Sequence, residues 1–143
     1  MSPLLNYTTK INANKTVGEM QTMLAKAGAS SVQAVYDEGR PSGLGFTIPT
    51  THGIRSFLLP ANVGAVFAVL QKDIKVPMGL KMPEHAERVA WRILKDWLEA
   101  QLAIIESQMV TLDQVMLPYM TDESGRTVYD LYASRQLALG AGT

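Results

Sequence analysis

His85, Arg88, Arg92 and Lys95 recur at i, i+3, i+7 and i+10, a spacing that places all four on one sector of a helix turning about 100° per residue. Guanidinium and ammonium groups arrayed in this way bind phosphate oxygens, so the stripe predicts contact with nucleic acid. Lys72, Lys75 and Lys81 lie just upstream and would extend it. The competing reading is a solvated face of helical ion pairs. Glu84 stands four residues before Arg88, Asp96 four after Arg92 and Glu99 four after Lys95, and such pairs contribute only about 0.2–0.5 kcal/mol each.

Other chemistries find less support. His52 and His85 are the only histidines and there are 0 Cys, so no zinc-ligand spacing exists and no disulfide forms; the lack of cysteine fits a reducing compartment. No G-x-S-x-G elbow accompanies the histidines. Gly43-Leu44-Gly45 leads into a strand pattern and not into the helix N-terminus where phosphates are cradled. Asp37, Glu38, Asp122 and Glu123 fall in turns, where carboxylates are solvated. The expectation is therefore a non-enzymatic chain with no catalytic residue, no metal and no cofactor. Its 13 Lys+Arg balance 13 Asp+Glu, so no global field draws it onto DNA, RNA or an anionic membrane, and any nucleic-acid contact must be local.

The elements that must carry the stripe follow from periodicity. Pro83 to Glu106 reads as one long helix, opened by proline at a first helical position and by Glu84 and Glu87 in the first turn. Val89, Ile93, Trp97, Ala100 and Ile104, widened by Ala90, Leu94, Leu98 and Ile105, form an apolar arc of roughly 200°, twice what one contact surface needs. Intramolecular cover by the C-terminal segments is expected, with a symmetric homodimer as the alternative. Trp91 and Trp97 flank the arc. One can fill the core; the other, expected to be Trp91 beside the basic edge, is available to a neighbouring helix, a second subunit or a stacked base.

Upstream, Tyr7 to Ile11 reads as a short strand, and Thr16-Val17-Gly18-Glu19 as a capping box that opens a helix over Val17 to Ala27. Ser31 to Tyr36, Leu44 to Ile48 and Ile54 to Leu59 read as a three-stranded meander, and Asn62 caps a helix with a Val63, Val66, Phe67, Leu70 stripe. The Lys72 to Pro83 connection reads as a basic, exposed linker. Thr111-Leu112-Asp113-Gln114 is a second capping box for a short helix with Val115 and Met116 inward, and Thr127 to Leu139 is a strand or a helix lying on the core. The predicted class is α+β: a three-stranded antiparallel meander packed on helices, followed by a helical C-terminal half with one long helix. The 143 residues are expected to form a single domain, with a β-α-βββ-α portion over 1–71, a linker over 72–82, a helical portion over 83–139 and a disordered tail over 140–143. No secretory signal and no membrane span is expected, which predicts a soluble, cytoplasmic protein.

Taken together, Asn6-Tyr7-Thr8-Thr9-Lys10-Ile11, Phe57-Leu58-Leu59-Pro60-Ala61-Asn62, the run from Arg88 to Leu102 and Leu117-Pro118-Tyr119-Met120 resemble a family of small proteins encoded by bacteriophages, prophages and integrative elements. The resemblance implies a setting, the cytoplasm of a host bacterium. Small proteins of mobile elements work on the element's own nucleic acid or block host defence, either by binding an immune protein or by sequestering a nucleotide signal. The order helix, three strands, helix is also similar to that of double-stranded-RNA-binding domains, but the basic cluster expected at the start of the last helix is absent, since it begins Asn62-Val63-Gly64-Ala65.

Overall fold

The computed structural model describes residues 3–141. Its order is α1 (Ala13–Lys26), β1 (Ser31–Asp37), β2 (Arg40–Thr50), β3 (Gly53–Pro60), α2 (Val63–Lys72), α3 (Pro83–Glu106), α4 (Leu112–Met116) and α5 (Val128–Ala133), with 3-10 turns at Met78–Leu80 and Leu117–Tyr119. The three strands form one antiparallel sheet in the order β1-β2-β3, and the C-terminal half is helical. The class is α+β, with the long helix spanning the limits that its periodicity predicts.

Several local expectations are corrected. Tyr7 to Ile11 is not a strand. The chain turns at 5–8, with Asn6 at φ 65° and Tyr7 N donating to the Leu4 carbonyl, and the segment lies against α3, where Asn6 Nδ2 donates to Asp96 Oδ2 at 2.8 Å. The β-branched Thr8-Thr9 pair has no sheet edge to join, and tertiary contact overrides propensity. The Thr16 capping box does not form either. Asn12 caps α1 a turn earlier by accepting from Asn14 N at 2.8 Å, which brings Ala13 into the core and leaves Thr16 buried inside the helix. The far end closes as a Schellman motif. Gly28 takes φ +106°, and Ala29 N donates to the Leu24 carbonyl while Gly28 N donates to that of Ala25.

The segment Asp37 to Gly43, dense in turn formers, is mostly strand. Only Glu38 and Gly39 turn, at φ 50° and 79°, a two-residue primed hairpin that matches strand twist. Beyond them Asp37 pairs with Arg40 and Tyr36 with Pro41, and the register shifts between Val35 and Tyr36. Gly43 fits there with little room to spare, because a β-carbon would lie 3.1 Å from the Leu59 carbonyl oxygen.

Val32, Ala34, Leu44, Phe46, Ile48, Phe57 and Leu59 share the inner face of the sheet, since Val32 pairs with Phe46, Ala34 and Leu59 with Leu44, and Phe57 with Phe46. The Phe46 and Phe57 rings stack at 5.0 Å. Met20, Leu24, Trp91, Leu98 and Met116 complete this core from α1, α3 and α4. A second, smaller core gathers Leu70, Val76, Ala86 and Val89, bordered by Leu4, Tyr7, Val63, Val66 and Phe67. Helix α3 is the wall between them, packing α1 on one flank and α2 on the other, so its wide apolar arc is covered chiefly by these two helices instead of the C-terminal segments, and a groove stays open beside Trp97.

The basic connection is correspondingly less free than expected. Val76 is buried, Met78–Leu80 forms a helical turn, and Lys81 Nζ donates to the Gln71 carbonyl at 3.2 Å; Ile74 and Met78 do stand out in solvent. The Thr111–Gln114 capping box opens α4 as read, with Met116 buried and Val115 packed against the core. Thr127 to Leu139 resolves to the short helix α5, and a third box, Thr127 with Asp130, opens it. Before it, Met120 bridges to Phe57 and Thr121 N donates to the Ser56 carbonyl, so the chain at Met120 and Thr121 covers part of the outer edge of β3. Of the tail 140–143, Gly140 and Ala141 have no regular structure and the last two residues lie outside the described ones. Among the described residues no helix is long and apolar enough to cross a membrane.

Candidate partner-binding surface

The stripe that the spacing aligns on α3 is real as a row, but most of it does not face solvent. His85 is only 4% exposed, and its Nε2 lies 2.5 Å from the Tyr7 carbonyl oxygen, an acceptor that makes Nε2 the donating nitrogen. Arg92 Nη1 reaches Glu19 Oε2 at 2.9 Å and Thr16 Oγ1 at 3.4 Å. Lys95 sits between Glu99, at 3.0 Å, and Glu19, at 3.9 Å. The side chains of Arg92 and Lys95 are 15% and 16% exposed. Two cations meet two carboxylates, and the local charge cancels.

The physical reason is the position of α1. It lands on the basic edge of α3 and supplies Glu19, the residue that sequence reading assigned to a cap. Of the three helical ion pairs expected, only Lys95 with Glu99 forms. Asp96 instead accepts from Asn6, and Glu84 faces Arg40 at 3.8 Å. Arg88 is half-buried, Lys72 and Lys75 are exposed, and Lys81 is tied to the Gln71 carbonyl. His52 is not part of this row and is exposed in the turn between β2 and β3.

The two tryptophans exchange their expected places. Trp91 is fully buried and its Nε1–H donates to the Pro41 carbonyl at 3.1 Å, a polar tie between α3 and the sheet inside the main core. Trp97 is half-buried and stands edge-on to Tyr119, with ring centroids 5.7 Å apart and an interplanar angle of 78°. A signal for this was present in the sequence. Trp91, Leu94, Leu98 and Leu102 follow i, i+3, i+7 and i+11, a leucine stripe that marks Trp91 as core.

Trp97 and Tyr119 border an open groove of about 340 Å³, walled by Pro60, Ala61, Ala65, Val66, Ala90, Ile93 and Leu94 and containing no charged residue. Two further recesses join it. One of about 390 Å³ shares Pro60 and Tyr119 and adds Leu58, Pro118, Thr127, Tyr129 and Asp130. The other, of about 350 Å³, shares Ala61 and Asn62 and is lined by Asp37, Glu38, Arg40 and Glu87. Arg40 is held there by Glu87 at 3.0 Å and by Glu84. Tyr129 and Tyr132 lie against each other at 5.9 Å and are more than half exposed. A separate apolar hollow of about 600 Å³ lies between the C-terminal ends of α1 and α3, with Lys26 and Glu106 on its rim.

One carboxyl is displaced from its ordinary range. Asp122 is lowered from 3.8, first by the Ser124 hydroxyl, against desolvation as the next largest effect, and further by the Arg126 and Ser124 amides and the Arg126 charge. It organises the turn before α5 and lies outside the three joined recesses.

The fold and surface together define an α+β protein whose accessible face is aromatic and apolar with an acidic end. Comparison with protein-family models, with curated proteins and with solved structures finds no match for this chain.

Proposed function

We propose that this chain is a non-enzymatic accessory protein that works by docking a partner protein on the surface running from Trp97 through Tyr119 to Tyr129. The observation that carries the reading is Trp97, an indole only partly buried beside an uncharged groove while the other tryptophan of the same helix is fully enclosed. Aromatic side chains that retain an accessible edge in a preformed apolar recess supply most of the affinity of protein interfaces. The setting implied by the resemblance to mobile-element proteins makes a host defence protein the natural partner class.

The rival reading, nucleic-acid binding, draws its support from Arg88 and Lys72, because His85, Arg92, Lys95 and Lys81 are engaged within the fold. The two readings part on one comparison. Host proteins captured on wild-type and Trp97→Ala chains are identified and re-tested as purified pairs, alongside anisotropy of labelled DNA and RNA at about 50 and 200 mM salt. A purified partner that binds wild type, tolerates salt and is lost with Trp97→Ala is the expected result. Salt-steep nucleic-acid binding that survives Trp97→Ala and is lost with Arg88→Glu would replace the docking reading by its rival.

A further inference from the structure

The groove and its acidic neighbour meet at Ala61 and Asn62, so a segment laid across that saddle touches an uncharged aromatic wall on one side and carboxylates on the other. The charges there are not balanced. Arg40 is already engaged by Glu87 at 3.0 Å and Glu84 at 3.8 Å, whereas the exposed carboxylates of Asp37 and Glu38 make no ion pair among the described residues. Both sit at the hairpin tip between β1 and β2, and the Arg40 to Glu87 pair pins that tip to α3.

We infer that the occupant of the groove is a polypeptide segment carrying a bulky apolar anchor with a lysine or arginine a few residues away. The anchor fills the space beside Trp97 and Tyr119, and the cation lies against Asp37 and Glu38. Charge complementarity selects this class over the alternatives. A phosphate backbone on the saddle would face unpaired carboxylates, and an acidic peptide would meet the same repulsion. The inference rests on the docking reading and adds the chemistry of what docks.

Three fluorescein-labelled dodecapeptides test it, identical except that a central Trp-Leu pair is flanked by two lysines, two serines or two glutamates. Titrated against the full chain at low salt, the lysine peptide is expected to bind about fivefold more tightly than the serine peptide, as two rim ion pairs allow, and the glutamate peptide weakest. Asp37→Asn with Glu38→Gln should level the three affinities. Trp97→Ala should abolish binding of all three, with its thermal melt showing that the chain still folds. Equal affinities that vanish with Trp97→Ala would keep the docking reading and overturn the charge inference. No binding by any peptide, binding unaffected by Trp97→Ala, an oligonucleotide that competes for the groove, or self-association lost with Trp97→Ala would overturn it as well.

Discussion

Replacing Trp91 by Phe separates the work of the two tryptophans. The Trp91 Nε1–H donates to the Pro41 carbonyl at 3.1 Å in a fully buried site, so phenylalanine keeps an aromatic ring in place but strands that acceptor. A buried carbonyl without its donor costs about 1–3 kcal/mol. The smaller ring also leaves a void of roughly 40 Å³, and at about 24 cal/mol per Å³ this adds about 1 kcal/mol. The sum is about 2–4 kcal/mol, and with about 3 °C per kcal/mol for a chain of this length the melting temperature falls by roughly 6–12 °C. Trp97→Phe keeps an edge against Tyr119 at a partly buried site and strands no buried polar group, so its expected shift is smaller, under about 2 °C. Parallel melts followed by far-ultraviolet circular dichroism, checked against urea midpoints, measure both. Equal losses, or a larger loss at Trp97, would refute the assignment of Trp91 to the core and Trp97 to the surface.

Glu19 and Arg92 should be coupled: a double-mutant cycle with Glu19→Gln and Arg92→Gln is expected to return about 1 kcal/mol at low salt, and a coupling near zero would put Arg92 back in solvent. Glu38 occupies a left-handed backbone position at φ 50°, which costs a residue other than Gly, Asn or Asp about 1 kcal/mol, so Glu38→Asn should raise the melting temperature by about 2–3 °C while weakening the lysine-flanked peptide; a fall in stability would contradict the turn geometry. Because the Asp122 carboxyl is depressed in the fold, its contribution is complete above the ordinary value of 3.8 and is lost as pH falls below 3.8 through the folded value. Protection of the Ser124 and Arg126 amides, measured against their intrinsic exchange rates, should therefore fall below that pH, and Asp122→Asn should remove the dependence.

The fold was legible wherever a local signal had no competitor. The limits of α3, the order of the sheet, the Asn62 cap and the Thr111–Gln114 box all follow from period, capping chemistry and turn residues. Legibility ended where two signals competed or a partner was remote. Thr16 and Asn12 both can cap, and Asn12 prevails because an earlier start buries Ala13. Pro41 and Gly43 read as turn residues yet occupy a strand, tolerated at the irregular register beside Val35. The basic stripe shows the second limit. Periodicity fixes which side chains share a face but not what lies on that face, and Glu19, 73 positions away from Arg92, neutralises it through a contact that no local window contains.

The groove itself follows from a mismatch of lengths along α3. At 1.5 Å per residue the 24 residues of α3 run about 36 Å, whereas the 10 residues of α2 run about 15 Å. Helix α2 therefore covers the apolar flank only over its first turns, where the small Ala86 and Ala90 let it approach and Val89 closes the second core. Past Ile93 the same flank continues as Trp97, Ala100 and Ile104, and at Trp97 the first turn of α2, with Ala65 and Val66, forms one wall of the groove instead of closing over it. Tyr119, delivered by the turn after α4, meets Trp97 edge-on and leaves it partly buried at the border of the groove. A helix long enough to serve two cores thus carries part of its apolar arc beyond the shorter one. The residue that stands at that point is the tryptophan on which the proposed docking depends.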